Sequence, residues 1–256
     1  LQSNTTADNN TAVGSNALDT NTTGAQNTAL GVSALYANTT AAYNVAIGYR
    51  ALQANTTGTQ NTAVGSFALE DITTESYCTA IGYNALRNNA AANNTACGYS
   101  ALQDNTTGAH NTAVGHNALV TNTTGANSAA VGRNALALNT TGSSNTALGT
   151  SALYANTTAS YNTAIGDSAL SSNTTGAENT AVGHQAMKDN VDGYYNTAVG
   201  YHALENNTTA SRNNAFGYRA LFANTTGSNC VAVGNRALES HTTGYENTAI
   251  GSRAGD

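Results

Sequence analysis

The stretch Asn111–Asn127, "NTAVGHNALVTNTTGAN", decides the fold, because near-copies of it fill the whole chain. Each copy contains the step A-V-G or a close variant. We name its Gly the anchor glycine and number the other residues of each copy from it. Thirteen of the fourteen intervals between anchors are 17 residues long, and one is 16. A fixed period of this length indicates a solenoid or a similar stacked array. The fifteen anchors are Gly14, Gly31, Gly48, Gly65, Gly82, Gly98, Gly115, Gly132, Gly149, Gly166, Gly183, Gly200, Gly217, Gly234 and Gly251.

The apolar residues of each copy form two short groups, A-V-G and A-L. Positions −2 and +3 are always Ala, position −1 is always apolar, and position +4 is Leu except at Met187 and Gly255. A helix would need an apolar stripe at three- and four-residue steps instead. We therefore predict a strand at A-V-G, a corner at the anchor, a short strand at A-L, and a corner at N-T-T-G. Gly or Asn would supply the positive φ of these corners. The fold class is all-β, a β-solenoid of about fifteen 17-residue coils, forming a single tandem-repeat segment over 1–256.

Stacked coils would pair each strand with the same strand of the next coil, about 4.8 Å away. Asn occupies position −4 in 12 of 15 copies, where it either forms a hydrogen-bonded ladder or fits a corner. The side chain at −1 is predicted to face the interior. The Ala at −2, on the other side, indicates close approach by the opposite wall of the coil or by a neighbouring chain. So thin a core favours an oligomeric or filament-forming chain.

Composition excludes two classes of partner. The net charge is −6 and no basic run exists, which argues against nucleic acid. No apolar run approaches the roughly 20 residues of a membrane span, so no membrane insertion is expected. The chain begins and ends within a repeat. We therefore expect part of a longer chain or fibre, or a mature form from which a targeting signal has been removed.

The motif N-T-A-V-G-x-x-A-L resembles the S-V-A-I-G-x-x-A repeat of YadA-like heads in trimeric autotransporter adhesins. "NVAIGYRAL" (Asn44–Leu52) and "CVAVGNRAL" (Cys230–Leu238) carry this resemblance. With N-T-T-G between copies, the repeat is also similar to the shafts of phage tail-fibre and related surface-fibre proteins. The resemblance implies a left-handed β-roll, three chains side by side and a role in attachment. It also implies an extracellular location, on a cell surface or on a virion. The adhesin heads have a shorter period than the 17 residues seen in this chain.

The N-T-T triplet matches the N-glycosylation acceptor pattern, and it also suits a plain turn. Glycosylation would place a column of sugars along one edge of the coils. The eleven candidate acceptors are Asn4, Asn21, Asn38, Asn55, Asn105, Asn122, Asn139, Asn156, Asn173, Asn207 and Asn224.

Five tyrosines directly follow an anchor glycine and are candidate surface-binding aromatics: Tyr49, Tyr83, Tyr99, Tyr201 and Tyr218. They either stack on sugars or on a neighbouring chain, or merely decorate the surface. The three Cys suggest no disulfide framework, and the five His show no metal or catalytic spacing. We therefore expect no enzyme activity, no cofactor and no metal.

Three functional hypotheses follow. The first is a structural and adhesive shaft of an extracellular fibre, whose partners are further copies of itself, as a homotrimer, and cell-surface glycans. The second is a self-assembling filament, with or without glycans on its corners, whose open coil ends pair head to tail. The third is an ice- or glycan-binding β-solenoid, because Thr recurs at position −3 in 11 of 15 copies.

Overall fold

The computed structural model describes residues 2–256, which form fifteen three-residue strands and no helix. The chain divides into two compact units, the first ending at Asn127 and the second beginning at Ser128. Each coil contributes one strand at positions −3 to −1. The first unit contains β1 Thr11–Val13, β2 Thr28–Leu30, β3 Val45–Ile47, β4 Thr62–Val64, β5 Thr79–Ile81, β6 Thr95–Cys97 and β7 Thr112–Val114. The second contains β8 Ala129–Val131, β9 Thr146–Leu148, β10 Thr163–Ile165, β11 Thr180–Val182, β12 Thr197–Val199, β13 Asn214–Phe216, β14 Val231–Val233 and β15 Thr248–Ile250.

Within each unit, every strand pairs in parallel with the strands of the coils before and after it. Equal repeat positions lie opposite each other, as in the pairs Thr163↔Thr180 and Ala164↔Ala181. The shortened interval keeps this register, because β5 and β6 still pair Ala80 with Ala96. The predicted β-solenoid of 17-residue coils is thus confirmed. The left-handed winding of the coil, which the resemblance implies, stays a prediction. So does a single tandem-repeat segment over 1–256.

The interior of the coil lies on the Ala side of the strand, so the predicted orientation of position −1 is wrong. Ala147 is 1% exposed, whereas Leu148 at position −1 is 46% exposed and faces outward. The opposite wall contributes the fully buried Ala152 and Leu153 to the same interior. That interior is narrow, and Leu fills it from one side only. A methyl group is therefore all that the strand can project inward.

The A-L segment is a turn, and the predicted second strand is absent from residues 2–256. Ser151 and Leu153 both have positive φ, 55° and 51°. The left-handed region costs a non-Gly residue roughly 1–2 kcal/mol. Full burial of a Leu side chain contributes about 2–3 kcal/mol, which offsets that cost. The backbone is satisfied between coils, because the Leu153 N–H donates to the Ala169 carbonyl at 3.0 Å.

The two kinds of glycine serve different purposes. The anchor Gly166 has φ +136°, a conformation that L side chains rarely adopt, and an added Cβ would lie 2.4 Å from the Gly183 carbonyl oxygen. The corner Gly142 has no positive φ, contrary to the prediction for N-T-T-G. It is required by close approach instead, since an added Cβ would lie 2.2 Å from the Ala159 carbonyl oxygen.

Candidate functional site

The asparagines of the N-T-T corners point into the coil and form a ladder along its interior. Asn156 Nδ2 donates to Asn139 Oδ1 at 2.8 Å and to the Ala159 carbonyl at 3.0 Å. Asn173 repeats this arrangement on Asn156 Oδ1 at 3.2 Å. The ladder ties each coil to its neighbour and closes each corner at once. It is the side-chain stacking that cross-β arrays also use.

Burial bears directly on these asparagines as glycosylation candidates. A glycan replaces one hydrogen of Nδ2, and in the ladder that nitrogen is already enclosed and hydrogen-bonded. Asn4 is the exception, being exposed while its Nδ2 donates to the Ala7 carbonyl. At the other ten asparagines, burial in the folded coil therefore favours a plain turn over a glycosylation acceptor. Those with fully buried side chains are Asn21, Asn38, Asn55, Asn105, Asn122, Asn139, Asn156, Asn173, Asn207 and Asn224.

The asparagines at position −4 form a second ladder, which confirms the hydrogen-bonded alternative. The backbone N–H of Asn162 donates to Asn145 Oδ1 at 2.9 Å. Asn162 Nδ2 donates to the Gly176 carbonyl at 2.9 Å, and Asn173 Nδ2 donates to the same carbonyl at 2.8 Å. The two ladders thus converge on one carbonyl in this coil. The same happens at the Ala41 carbonyl, which accepts from Asn27 and Asn38.

Threonine at −3 and the aliphatic residue at −1 share the outer face of the sheet. We call these two columns the outer sheet face. In the first unit Val13, Leu30, Ile81 and Val114 are 37–56% exposed. Contiguous exposed apolar patches of more than a few hundred Å² are uncommon on monomeric proteins. An aliphatic column beside a hydroxyl column is the main exposed apolar feature of the repeat.

The five predicted surface tyrosines lie at position +1, and neighbouring coils bring them together. Tyr83 stacks on Tyr99 with ring centroids 5.4 Å apart, and Tyr201 stacks on Tyr218 at 5.6 Å. Tyr49 contacts Phe67 edge to face at 5.3 Å. All five are 39–51% exposed. Because stacked rings cover each other's faces, these tyrosines present edges and hydroxyl groups to solvent.

Beside the tyrosines runs a column of charged residues that the sequence analysis did not identify. Glu70 at position +5 is 2% exposed and is bridged by Arg50 Nη2 at 2.9 Å and by Arg87 Nε at 2.7 Å. In the second unit, Arg219 Nε lies 2.9 Å from Glu239 Oε1. The available signal was the placement of opposite charges at positions +2 and +5 of successive copies.

The three cysteines are free, and they occupy two environments. Cys78 and Cys230 take the place of the −4 Asn and are buried, whereas Cys97 lies exposed in the outer sheet face. The Cys78 Sγ–H is directed at the Ala91 carbonyl, 3.3 Å away. Burial raises the pKa of the Cys78 thiol, because it disfavours the thiolate.

Residues 2–256 contain no group of three or more His, Cys, Asp and Glu side chains arranged to hold a metal ion. In the same range, no helix is both long enough and apolar enough to cross a bilayer. A scan of the chain against protein-family models finds no match, and a search of curated proteins finds no relative.

Proposed function

We propose that this chain is a structural and adhesive segment of an extracellular fibre, located on a cell surface or a virion. The outer sheet face carries the proposal, since every coil adds one apolar side chain and nearly every coil adds one hydroxyl to it. The interior of the coil is filled by Ala, Leu and Asn and leaves no room for a ligand. We therefore expect the chain to act through its surface, where each coil repeats a similar set of side chains.

The proposed occupant of the outer sheet face is a further copy of the chain. A three-residue strand is about 10 Å wide and coils are spaced about 4.8 Å apart, so each coil presents roughly 50 Å² of flat surface. The seven coils of the first unit then provide about 340 Å², and the eight coils of the second provide about 380 Å². Each unit thus presents its own strip of a few hundred Å², a size often found at interaction surfaces. The resemblance of "NVAIGYRAL" (Asn44–Leu52) to adhesin-head repeats supports a homotrimer.

Native mass spectrometry and electron microscopy test this association. We expect discrete oligomers in the wild type and a shift to monomer in the double variant Leu30→Lys, Val114→Lys. Thr40 and Thr107 are exposed at N-T-T corners, and the double variant Thr40→Lys, Thr107→Lys adds the same charge there. This control should stay oligomeric. Filaments of unlimited length would favour the head-to-tail alternative, and a wild-type monomer at all concentrations would overturn lateral association.

Ice binding is a second candidate, favoured by one observation. Thr95 and other threonines at −3 face outward on the same flat sheet as the −1 column, so hydroxyl and methyl groups repeat on a regular lattice. An ice-recrystallisation assay tests this. Inhibition that is lost in Thr95→Lys but kept in Thr107→Lys would support it, and a wild type without inhibition would exclude it.

A further inference from the structure

A surface pocket of about 300 Å³ lies in the second unit, on the side of the coils that carries positions +1, +2 and +5. Its walls are Tyr201, His202, Glu205, Tyr218, Arg219 and Phe222. They come from two successive coils. The volume falls at the lower end of the range for small-molecule sites.

Glu205 forms the floor of the pocket, and its carboxylate lacks the partners that the same repeat position has elsewhere. Glu70, also at position +5, is bridged by guanidinium groups from residues 20 before it and 17 after it, Arg50 and Arg87. The residues at those two spacings from Glu205 are Gln185 and Phe222. An uncharged amide and an aromatic ring thus replace both arginines.

Glu205 is 9% exposed, and its one side-chain partner among residues 2–256 is His202, whose Nδ1 contacts Oε2. The other carboxylate oxygen, Oε1, has no hydrogen-bond partner within residues 2–256, and the side chain is 11% exposed, so Oε1 is open to solvent at the pocket. A ligand group that donates a hydrogen bond can take the place of water at this oxygen. This points to a ligand that donates hydrogen bonds.

The opposite wall supplies donors and apolar surface. The Arg219 guanidinium lies 3.9 Å over the Phe222 ring and is ion-paired with Glu239. Tyr201 and Tyr218 are stacked, so they offer their ring edges and hydroxyl groups to the pocket. Glu205 and Arg219 are the two formally charged residues of the lining, and they have opposite signs, so the lining carries no net formal charge.

We infer that this pocket binds a neutral saccharide unit. Sugar hydroxyls both donate and accept hydrogen bonds, which matches a site that offers a carboxylate oxygen, a guanidinium, an imidazole and two phenols. The ring edges of Tyr201 and Tyr218 add apolar contact beside these polar groups. The inference rests on the adhesive part of the proposed function. It names the pocket and the class of ligand through which the chain would attach. It does not depend on lateral association.

Saturation-transfer NMR and calorimetry on the full chain test the inference, with methyl glycosides of neutral hexoses and of N-acetylhexosamines as probes. Phe222→Arg places a guanidinium where the first unit has Arg87, so a folded precedent exists for it. We expect this variant to weaken binding by about tenfold or more, a loss of roughly 1.4 kcal/mol or greater. Glu205→Gln keeps the shape of the floor and should weaken binding in the same direction.

The matched control is Gln103→Arg, which adds the same side chain at position +5 of the first unit and should leave affinity unchanged. Circular dichroism checks that all variants are folded. Wild-type chain that binds none of the glycosides, or binding that persists in Phe222→Arg, would overturn the inference. Binding of methylamine or arginine methyl ester in place of the glycosides would overturn it too. Each of these results leaves the oligomer measurement, and so the fibre proposal, untouched.

Discussion

The side-chain oxygen of Asn55 is buried and unpaired because Ile72 stands where the next coil should provide a ladder asparagine. Asn55 Nδ2 still donates backward to Asn38 Oδ1 at 3.2 Å and to the Gly58 carbonyl. The ladder is therefore intact up to Asn55 and is interrupted at Ile72. It resumes where Asn105 Nδ2 donates to Asn89 Oδ1 at 2.7 Å. At the interruption the interior gains an aliphatic side chain and loses one hydrogen bond between coils.

Restoring the ladder should stabilise the chain. In Ile72→Asn, the new amide can donate to Asn55 Oδ1 and to the Glu75 carbonyl, as other ladder residues do. Satisfying a buried acceptor is worth about 1–3 kcal/mol, and lost apolar burial offsets part of it. We expect a net rise in the free energy of unfolding of about 1 kcal/mol by urea titration. Ile72→Leu, which supplies no donor, should give no gain. A less stable Ile72→Asn would show that apolar contacts dominate at this corner.

Removing an asparagine from the intact part of the ladder should strongly destabilise the chain. Asn156→Ala deletes two donated hydrogen bonds, and it leaves Asn173 Nδ2 with only its bond to the Gly176 carbonyl. We expect a loss of about 3 kcal/mol or more in the free energy of unfolding, measured by urea titration. Asn156→Asp has nearly the same shape but no donors, so it should also destabilise the chain. Thr158→Ala, at the exposed end of the same corner, should change stability by less than about 0.5 kcal/mol. Equal effects at positions 156 and 158 would argue against the ladder.

The anchor glycine should tolerate no side chain. Gly166 combines φ +136° with a Cβ direction that meets the Gly183 carbonyl oxygen at 2.4 Å, so Gly166→Ala must displace the neighbouring coil. We expect thermal unfolding to report a loss of about 3 kcal/mol or more. Asp167→Ala, one residue later and exposed, is the control and should stay within about 0.5 kcal/mol. A Gly166→Ala chain as stable as wild type would show that the coils can slide apart at the corner.

The repeat period, the strand at A-V-G and the −4 ladder could be predicted because the same residues recur at the same positions in all or most of the copies. Which face of the strand points into the coil could not be predicted. Leu148 is the larger apolar residue and is expected inside, yet Leu153 from the opposite wall already fills the space that Ala147 faces. Orientation thus depends on the width of the coil, which the pattern of a single strand does not contain.

The left-handed turn at A-L had no local signal, since Leu is a poor residue for φ near +51°. Its cost is offset only once Leu153 is enclosed by neighbouring coils. The pocket at Glu205 could not be predicted from any single copy of the repeat either. Identifying it requires a comparison of positions +2 and +5 between adjacent coils. That comparison shows Phe222 at the position where the first unit has Arg87.

The three cysteines should react with thiol reagents at very different rates. Cys97 is exposed, whereas Cys78 and Cys230 are buried, and burial also raises the pKa of the Cys78 thiol and so lowers its thiolate fraction. Native chain should therefore incorporate label at Cys97, and at Cys78 and Cys230 only after unfolding. Peptide mapping by mass spectrometry identifies the sites, with Cys97→Ser as the unlabelled control. Fast labelling of Cys78 would mean that the coils open locally.

The same reaction measures association, because Cys97 lies in the outer sheet face. If further copies cover that face, the labelling rate of Cys97 should fall as the chain concentration rises. The double variant Leu30→Lys, Val114→Lys should remove this concentration dependence, while Thr40→Lys, Thr107→Lys should keep it. A rate that stays constant while native mass spectrometry shows oligomers would place the interface on another side of the coil.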